Sequence, residues 1–102
     1  MTGPVSWQVR FEPAAQAEVA DAVAWHEQRS AGLGAEFLRV LAATAEQLAR
    51  NPRAFPPARG RFRRLWLRRF PYALYFELLS EQRVSVLACL QHQADPVRWP
   101  GN

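Results

Sequence analysis

The chain has 102 residues and a formal charge of +4 at pH 7, and 49% of its residues are hydrophobic. This length and composition favour one globular domain over residues 1–102 and are unlike those of a disordered chain. A single cysteine, Cys89, excludes an intrachain disulfide, and no apolar run approaches the ~20 residues that span a bilayer. Residues 1–6 lack the charged and then apolar pattern of a secretory signal, so we expect a cytoplasmic protein.

Hydrophobic periodicity predicts a strand and two helices in the first half of the chain. Residues 6–11 alternate polar and apolar side chains, which is typical of a half-buried strand. Pro13 suits the first turn of a helix, and the pattern extends that helix to about Arg29. Gly32 is placed to adopt a left-handed conformation after it. A second helix is expected to end at about Arg50, so the two helices form a hairpin.

Three further strands are predicted in the second half, after a Pro- and Gly-rich loop at residues 54–60. They cover Phe62–Arg69, Tyr72–Leu78 and Arg83–Gln91, and their short connections indicate antiparallel pairing. The expected fold is α+β, with a helical hairpin packed on one face of a small, mainly antiparallel four-stranded sheet in the order β-α-α-β-β-β.

Positive charge is concentrated in one segment. Eight arginines lie between Arg50 and Arg69 with no acidic residue among them, whereas residues 12–49 hold six acids against two arginines. A local excess of this kind attracts phosphate groups or a strongly acidic protein. The alternative interpretation is a solvated strand face or an edge protected by charge.

Strand alternation predicts which of these side chains share a face of the sheet. Arg64, Trp66 and Arg68 fall on one side, and Tyr75 and Glu77 are expected beside them. Cations neutralise phosphates and flat rings stack on bases, so such a face suits a nucleic acid. The same mixture would also bind an acidic, partly apolar peptide. Trp66 could equally be a packing residue.

The sequence also contains candidates for acid–base chemistry. Alternation places His92 with Val86 and Leu90 on the helix-facing side, where a structural role competes with catalysis. His26, among acids in the first helix, is interpreted as a surface or boundary residue. The candidate catalytic residues are Arg64, Arg68, Glu77 and His92, with Glu77 as the base and the two arginines on a phosphate. No metal-ligand spacing and no Gly-rich phosphate loop occur, so no metal or cofactor is expected.

Several short motifs follow one another along nearly the whole chain. They are Phe11-Glu12-Pro13-Ala14, Gly32-Leu33-Gly34, Asn51-Pro52, Arg69-Phe70-Pro71-Tyr72, the closing His92, and Asp95-Pro96 with Trp99. In this combination the chain resembles the RelE/ParE toxin superfamily of bacterial type II toxin–antitoxin modules. It is most similar to the branch of ParE-like or plasmid-stabilisation proteins.

The resemblance implies a toxin that a cognate acidic antitoxin neutralises in a toxin–antitoxin hetero-oligomer. ParE-like members inhibit DNA gyrase, whereas RelE-like members cut mRNA in the ribosomal A site with basic residues of the sheet. Members commonly carry two basic residues after the closing histidine, where this chain has Gln93 and Ala94. Lysine is also absent, so the sequence favours the non-enzymatic, gyrase-binding function. The alternatives are a ribosome-dependent mRNA endonuclease and a non-toxic binding module on the same fold.

We expect the antitoxin to contact the arginine segment and the sheet face that it lines, and we expect no membrane partner. Acidic side chains of the antitoxin would pair with the arginines, and an apolar anchor would rest on Trp66. The candidate partner-binding residues are Arg61, Arg63, Arg64, Trp66, Arg68, Arg69, Tyr75, Arg98 and Trp99.

Overall fold

A computed structural model describes residues 6–92, which form two helices and a five-stranded sheet. In chain order the elements are β1 (Gln8–Phe11), α1 (Pro13–Arg29), α2 (Leu33–Arg50), a 3₁₀ turn (Pro52–Ala54), β2 (Pro57–Arg59), β3 (Phe62–Trp66), β4 (Tyr72–Leu79) and β5 (Arg83–Gln91). Neither helix of this part of the chain has the length and apolar character needed to cross a membrane.

The sheet has the strand order β1-β5-β4-β3-β2, in which β1 is parallel to β5 and all other pairs are antiparallel. The sheet was predicted to have four strands and has five. The strand that the prediction lacked is β2, which lies in the segment that composition indicated to be a loop. Pro57 lacks an N–H donor, which a sheet tolerates at an edge, and β2 is an edge strand. Composition does not reveal this strand because it is only three residues long and begins at Pro57, so it has neither the length nor the apolar alternation that marks a strand.

The two predicted helices are confirmed, and a tight connection joins them. Gly32 has the expected left-handed conformation, with φ of 90°. It is the N-cap of α2, however, and the C-cap of α1 is Ser30. The Glu27 carboxylate accepts hydrogen bonds from the backbone N–H groups of Gly32 (3.0 Å) and Gly34 (2.9 Å). This contact places a negative charge at the N-terminus of α2, where the helix dipole favours it. It also lowers the pKa of Glu27.

The main core lies between the helical hairpin and one face of the sheet. Among its largest fully buried side chains are Phe37 and Leu48 of α2 and Leu74, Phe76 and Val84 of the sheet. Burying apolar side chains of this size stabilises the fold by about 1.5–3 kcal/mol each. The hairpin thus covers one face, and we call the opposite face of the sheet the outer face.

An aromatic cluster connects the hairpin to the bend between β3 and β4 (residues 67–71). His26 is its centre and is only 7% exposed, so the interpretation as a surface or boundary residue was wrong. Its ring lies 5.5 Å from that of Phe37, 5.0 Å from Phe70 and 5.6 Å from Tyr72. The sequence did not reveal this burial because the partners of His26 come from α2, the bend and β4.

Candidate partner-binding face

A cation and aromatic rings meet on the outer face of the sheet. Arg64 of β3 pairs in register with Tyr75 of β4, and Trp66 pairs with Ala73. The Arg64 guanidinium lies 5.2 Å from the Trp66 ring and 6.0 Å from the Tyr75 ring. Trp66 is 41% exposed, so part of its ring can contact a partner. This arrangement confirms the predicted sharing of a face by Arg64, Trp66 and Tyr75.

A β-bulge changes the alternation of β5 and corrects the predicted position of His92. Tyr75 pairs with Ala88 but the next residue, Phe76, pairs with Val86, so Leu87 is the extra residue. Before the bulge, Val86 faces the helices. Beyond it, Cys89 belongs to the core between hairpin and sheet. Ala88 and Leu90 belong instead to a second buried cluster, which they form with Ala73 and Tyr75. The predicted grouping of Leu90 with Val86 was therefore wrong.

His92 follows the reversed alternation. It is exposed, and its ring centroid lies 5.4 Å from that of Trp66. The placement of His92 on the helix-facing side was thus wrong, because the extra residue at Leu87 moves every later side chain to the opposite face. Trp66 therefore contacts both Arg64 and His92, and these three side chains form the centre of the candidate site.

The arginine-rich segment does not form a uniform positive patch. Acidic groups from other elements reach it: Arg61 donates a 2.6 Å hydrogen bond to Glu77, and Arg69 donates a 2.5 Å hydrogen bond to Glu36 of α2. Arg63 donates instead to the backbone carbonyl of Phe55 (2.8 Å). These contacts engage three of the eight arginines, so the positive charge of the segment is less uniform on the surface than the sequence indicated.

Arg68 lies inside the predicted strand Phe62–Arg69 but outside the strand that the structure shows. β3 ends at Trp66, and Arg68 is exposed in the bend that follows. The backbone turns there because Arg69 adopts a left-handed φ of 69° and Pro71 restricts the approach to β4. Arg68 therefore does not share the strand face with Arg64 and Trp66, which corrects that prediction.

An apolar groove of about 330 Å³ lies beside the Trp66 ring. One wall is the segment Phe55–Ala58 and the other is formed by Arg64, Leu65 and Trp66. Sequence reasoning missed this groove, although the Pro56-Pro57 pair is a signal for a rigid extended wall. A groove of this kind can accept an apolar side chain while Arg64 pairs with a neighbouring carboxylate.

Comparison with known proteins identifies the family. Residues 9–96 match the model of the ParE toxin of the type II toxin–antitoxin system parDE. The chain belongs to the ParE toxin family. Among proteins with curated descriptions, none matches the sequence significantly.

Solved structures of toxin–antitoxin systems have the same fold as this ParE-family toxin. A chain of the chromosomal ParDE system from P. aeruginosa is 16% identical with a TM-score of 0.66, over 83% of this chain and 95% of that one. A chain of the RelBE2 toxin–antitoxin complex from Mycobacterium tuberculosis is 20% identical with a TM-score of 0.62, over 85% of this chain and 99% of that one. The family match agrees with the ParE-like resemblance that the sequence motifs indicated, and the two solved structures share the fold.

The four candidate catalytic residues of the ParE-family toxin are only partly brought together. Arg64 and His92 both contact Trp66, but the Glu77 carboxylate is bonded to Arg61 and Arg68 lies in the bend. Cys89 supplies no nucleophile, because burial and then the nearby Glu18 raise the pKa of its thiol to about 12. Among residues 6–92 no three His, Cys, Asp or Glu side chains are grouped to hold a metal ion.

The candidate partner-binding residues occupy different places in the toxin. Arg64, Trp66 and Tyr75 lie together on the outer face, while Arg61 and Arg63 flank it through their contacts with Glu77 and Phe55. Arg68 and Arg69 lie in the bend, and Arg98 and Trp99 lie outside the described residues.

Proposed function

We propose that this ParE-family toxin is neutralised by an acidic antitoxin that binds the outer face around Trp66. The observation that carries the proposal is the cluster of Arg64, Trp66 and His92 beside the apolar groove. The residues that dominate protein interfaces are enriched in tryptophan, tyrosine and arginine, and this face presents Arg64 beside a partly exposed Trp66. An antitoxin segment would insert an apolar side chain into the groove and direct a carboxylate at Arg64.

The antitoxin surface can be tested with two matched charge reversals. Arg64→Glu should weaken antitoxin binding by about 100-fold, since it places like charges at the centre of the contact. Arg50→Glu changes the same charge at the exposed end of α2 and should weaken binding by no more than about threefold. Calorimetry with the protein encoded beside the toxin would measure both constants. Equal affinities for the wild type and Arg64→Glu would show that the antitoxin binds elsewhere.

We further propose that the toxin acts in the cytoplasm by binding and inhibiting DNA gyrase rather than by cutting RNA. Support comes from the family match and from the incomplete catalytic set, in which Glu77 is engaged by Arg61. The sequence adds Gln93 and Ala94 where basic residues commonly follow the closing histidine in related toxins. Binding to gyrase requires a complementary surface and no general base. The incomplete set of catalytic residues is therefore compatible with this function.

A supercoiling assay with purified gyrase tests this target directly. Toxin in molar excess should stop supercoiling of relaxed plasmid, and pre-incubation with antitoxin should restore it. Unchanged supercoiling at excess toxin would exclude the gyrase mechanism while leaving the antitoxin surface open to its own binding test.

One observation favours a second candidate, a ribosome-dependent mRNA endonuclease. His92 and Arg64 contact the same exposed tryptophan ring, which would place an acid–base group and a cation beside a stacked base. Primer extension on translated mRNA should then show cuts that disappear in His92→Ala and Arg64→Ala. Uncut message during toxin-induced growth arrest would reject this candidate, and growth arrest relieved by the antitoxin would reject a non-toxic binding module.

A further inference from the structure

His26 is buried at the point where three elements meet. It lies near the C-terminal end of α1 and stacks on Phe37 of α2, with their rings 5.5 Å apart and inclined by 21°. Phe70 of the bend and Tyr72 at the start of β4 approach the same imidazole edge-on, at 5.0 Å and 5.6 Å. The imidazole therefore contacts both the hairpin and the bend that carries Arg68.

The surroundings of His26 suit a neutral imidazole and disfavour a charged one. Its Nε2 atom is buried without a hydrogen-bond partner. A neutral imidazole can leave one nitrogen unpaired at modest cost, whereas an imidazolium has two N–H donors and a charge to satisfy. Burial, and next the charge of Arg29, lower the pKa of His26 from its ordinary value of 6.5.

The charged and titratable side chains within three residues of His26, Phe37, Phe70 or Tyr72 are Arg29 and Glu27 on α1, Glu36 and Arg39 on α2, Arg68 and Arg69 in the bend, and Tyr72 and Tyr75 on β4. Both carboxylates already have partners. Glu27 accepts from two backbone amides at the start of α2, and Glu36 pairs with Arg39 and Arg69. The Tyr72 hydroxyl accepts a 2.7 Å hydrogen bond from Gln91. An imidazolium at position 26 would thus gain no acidic partner without breaking one of these contacts.

We infer that His26 is an acid-sensitive latch, whose neutral ring holds the bend against the hairpin and whose protonation releases it. The charged contact of the bend with the hairpin, Arg69 to Glu36, involves an arginine side chain that is 69% exposed, and such a pair contributes at most about 1 kcal/mol. Packing of Phe70 and Tyr72 on the adjoining rings of His26 and Phe37 is therefore the dominant contact, and His26 is the member of that ring pair that a proton can charge. Release would also alter the outer face, because the bend directly follows Trp66.

The direction of the pH effect follows from proton linkage. A released bend exposes His26 to water, where the imidazole has its ordinary pKa of 6.5, whereas the closed state has the lowered value. The released state binds the proton more tightly, so closure is fully stabilised above pH 6.5 and weakens as the pH falls towards the lowered pKa. The change reaches at most about tenfold in the opening equilibrium per pH unit.

Native-state hydrogen exchange on the wild-type toxin tests the latch locally. The Leu67 amide donates to the Tyr72 carbonyl (2.9 Å) and the His92 amide to the Pro71 carbonyl (2.7 Å), so both report on the bend. Between pH 7.5 and 5.5 their protection factors should fall severalfold or more, while that of Leu74 in the central strand β4 should change much less. Parallel changes at all three amides, or no change at the bend, would overturn the proposal.

Two substitutions separate His26 from the chain's other histidine. His26→Phe keeps a ring that cannot be protonated, so the bend amides should lose their pH dependence in this window. His92→Gln replaces the exposed histidine, and the Leu67 amide should keep its pH dependence in this variant; the opposite pattern at Leu67 contradicts the latch. If His26→Phe does not fold, the imidazole resonance of wild-type His26 decides. If His26 becomes protonated near pH 6.5 while the Leu67 amide stays protected from exchange, the latch is excluded. If His26 stays neutral until the pH at which the Leu67 amide loses its protection, the latch is supported.

Discussion

The two histidines of the chain lie on opposite faces of the sheet and illustrate what each face does. His26 is 7% exposed among aromatic rings of the helix-facing core, whereas His92 is exposed at the end of β5 beside Trp66. Both contact aromatic rings, so residue type and ring contacts alone do not distinguish them. Burial does: a buried imidazole can act only through packing and stability, while an exposed one is available to a partner or a substrate.

The largest expected effect compares one aromatic residue from each face. Phe37 is fully buried and contacts His26, Phe70 and Tyr72, so Phe37→Ala should destabilise the toxin by about 3–5 kcal/mol. Trp66→Ala on the outer face should cost only about 1 kcal/mol, because much of its ring is already in water. Urea denaturation monitored by circular dichroism measures both. Equal costs would mean that the outer face is part of the structural core.

A smaller effect is expected at Gly34, where α2 lies close to the backbone of α1. A Cβ atom added at Gly34 would lie 2.9 Å from the Val23 carbonyl oxygen and 3.0 Å from a Glu27 carboxylate oxygen. Gly34→Ala should therefore cost about 1–3 kcal/mol through overpacking. Gly60→Ala is the control at the sheet edge: its φ of 56° strains alanine, but no atom lies within 4 Å of the added carbon. We expect about 1 kcal/mol there, and a larger loss at Gly60 than at Gly34 would contradict the close helix contact.

The helical connection should also respond to acid. The pKa of Glu27 is lowered by the backbone N–H groups of Gly32 and then Gly34, so the carboxylate contributes stability that is present above its ordinary value of 4.5. That contribution is lost as the pH falls through the lowered pKa. Thermal denaturation from pH 6 to pH 3 should show a smaller acid loss in Glu27→Gln than in the wild type. Glu46→Gln, at an exposed position of α2, should behave like the wild type.

The smallest effect is expected for the ion pair on the outer face. Arg61 is 76% exposed in its side chain, so Glu77→Gln should change stability by less than about 1 kcal/mol. Chemical denaturation at low and at high salt would measure this. A loss above about 2 kcal/mol would mean that Glu77 is a structural residue and that the two faces differ less than their burial indicates.

Local signals in the sequence predicted most of the elements. Pro13 and the Asn51-Pro52 stop defined the helical region, and the predicted bounds of α1 and of β5 agree with the structure. These signals are reliable because helix starts, helix stops and strand alternation depend on neighbouring residues. The family followed in the same way, from motifs spread along the chain, and the match over residues 9–96 supports it.

Contacts between distant segments decided the rest. The bulge at Leu87 reversed the side-chain alternation and brought His92 to Trp66, and no residue near Leu87 signals it. Glu36 and Glu77 pair with arginines that lie 33 and 16 positions away in the chain. The arginine segment contains no acidic residue, but the surface that it forms in the folded chain does. The sequence by itself determined the helices, the meander strands and the toxin family, since these are encoded by short-range patterns. Only the tertiary structure decided which arginines remain displayed and which histidine is buried, because both depend on side chains that meet solely in the folded chain.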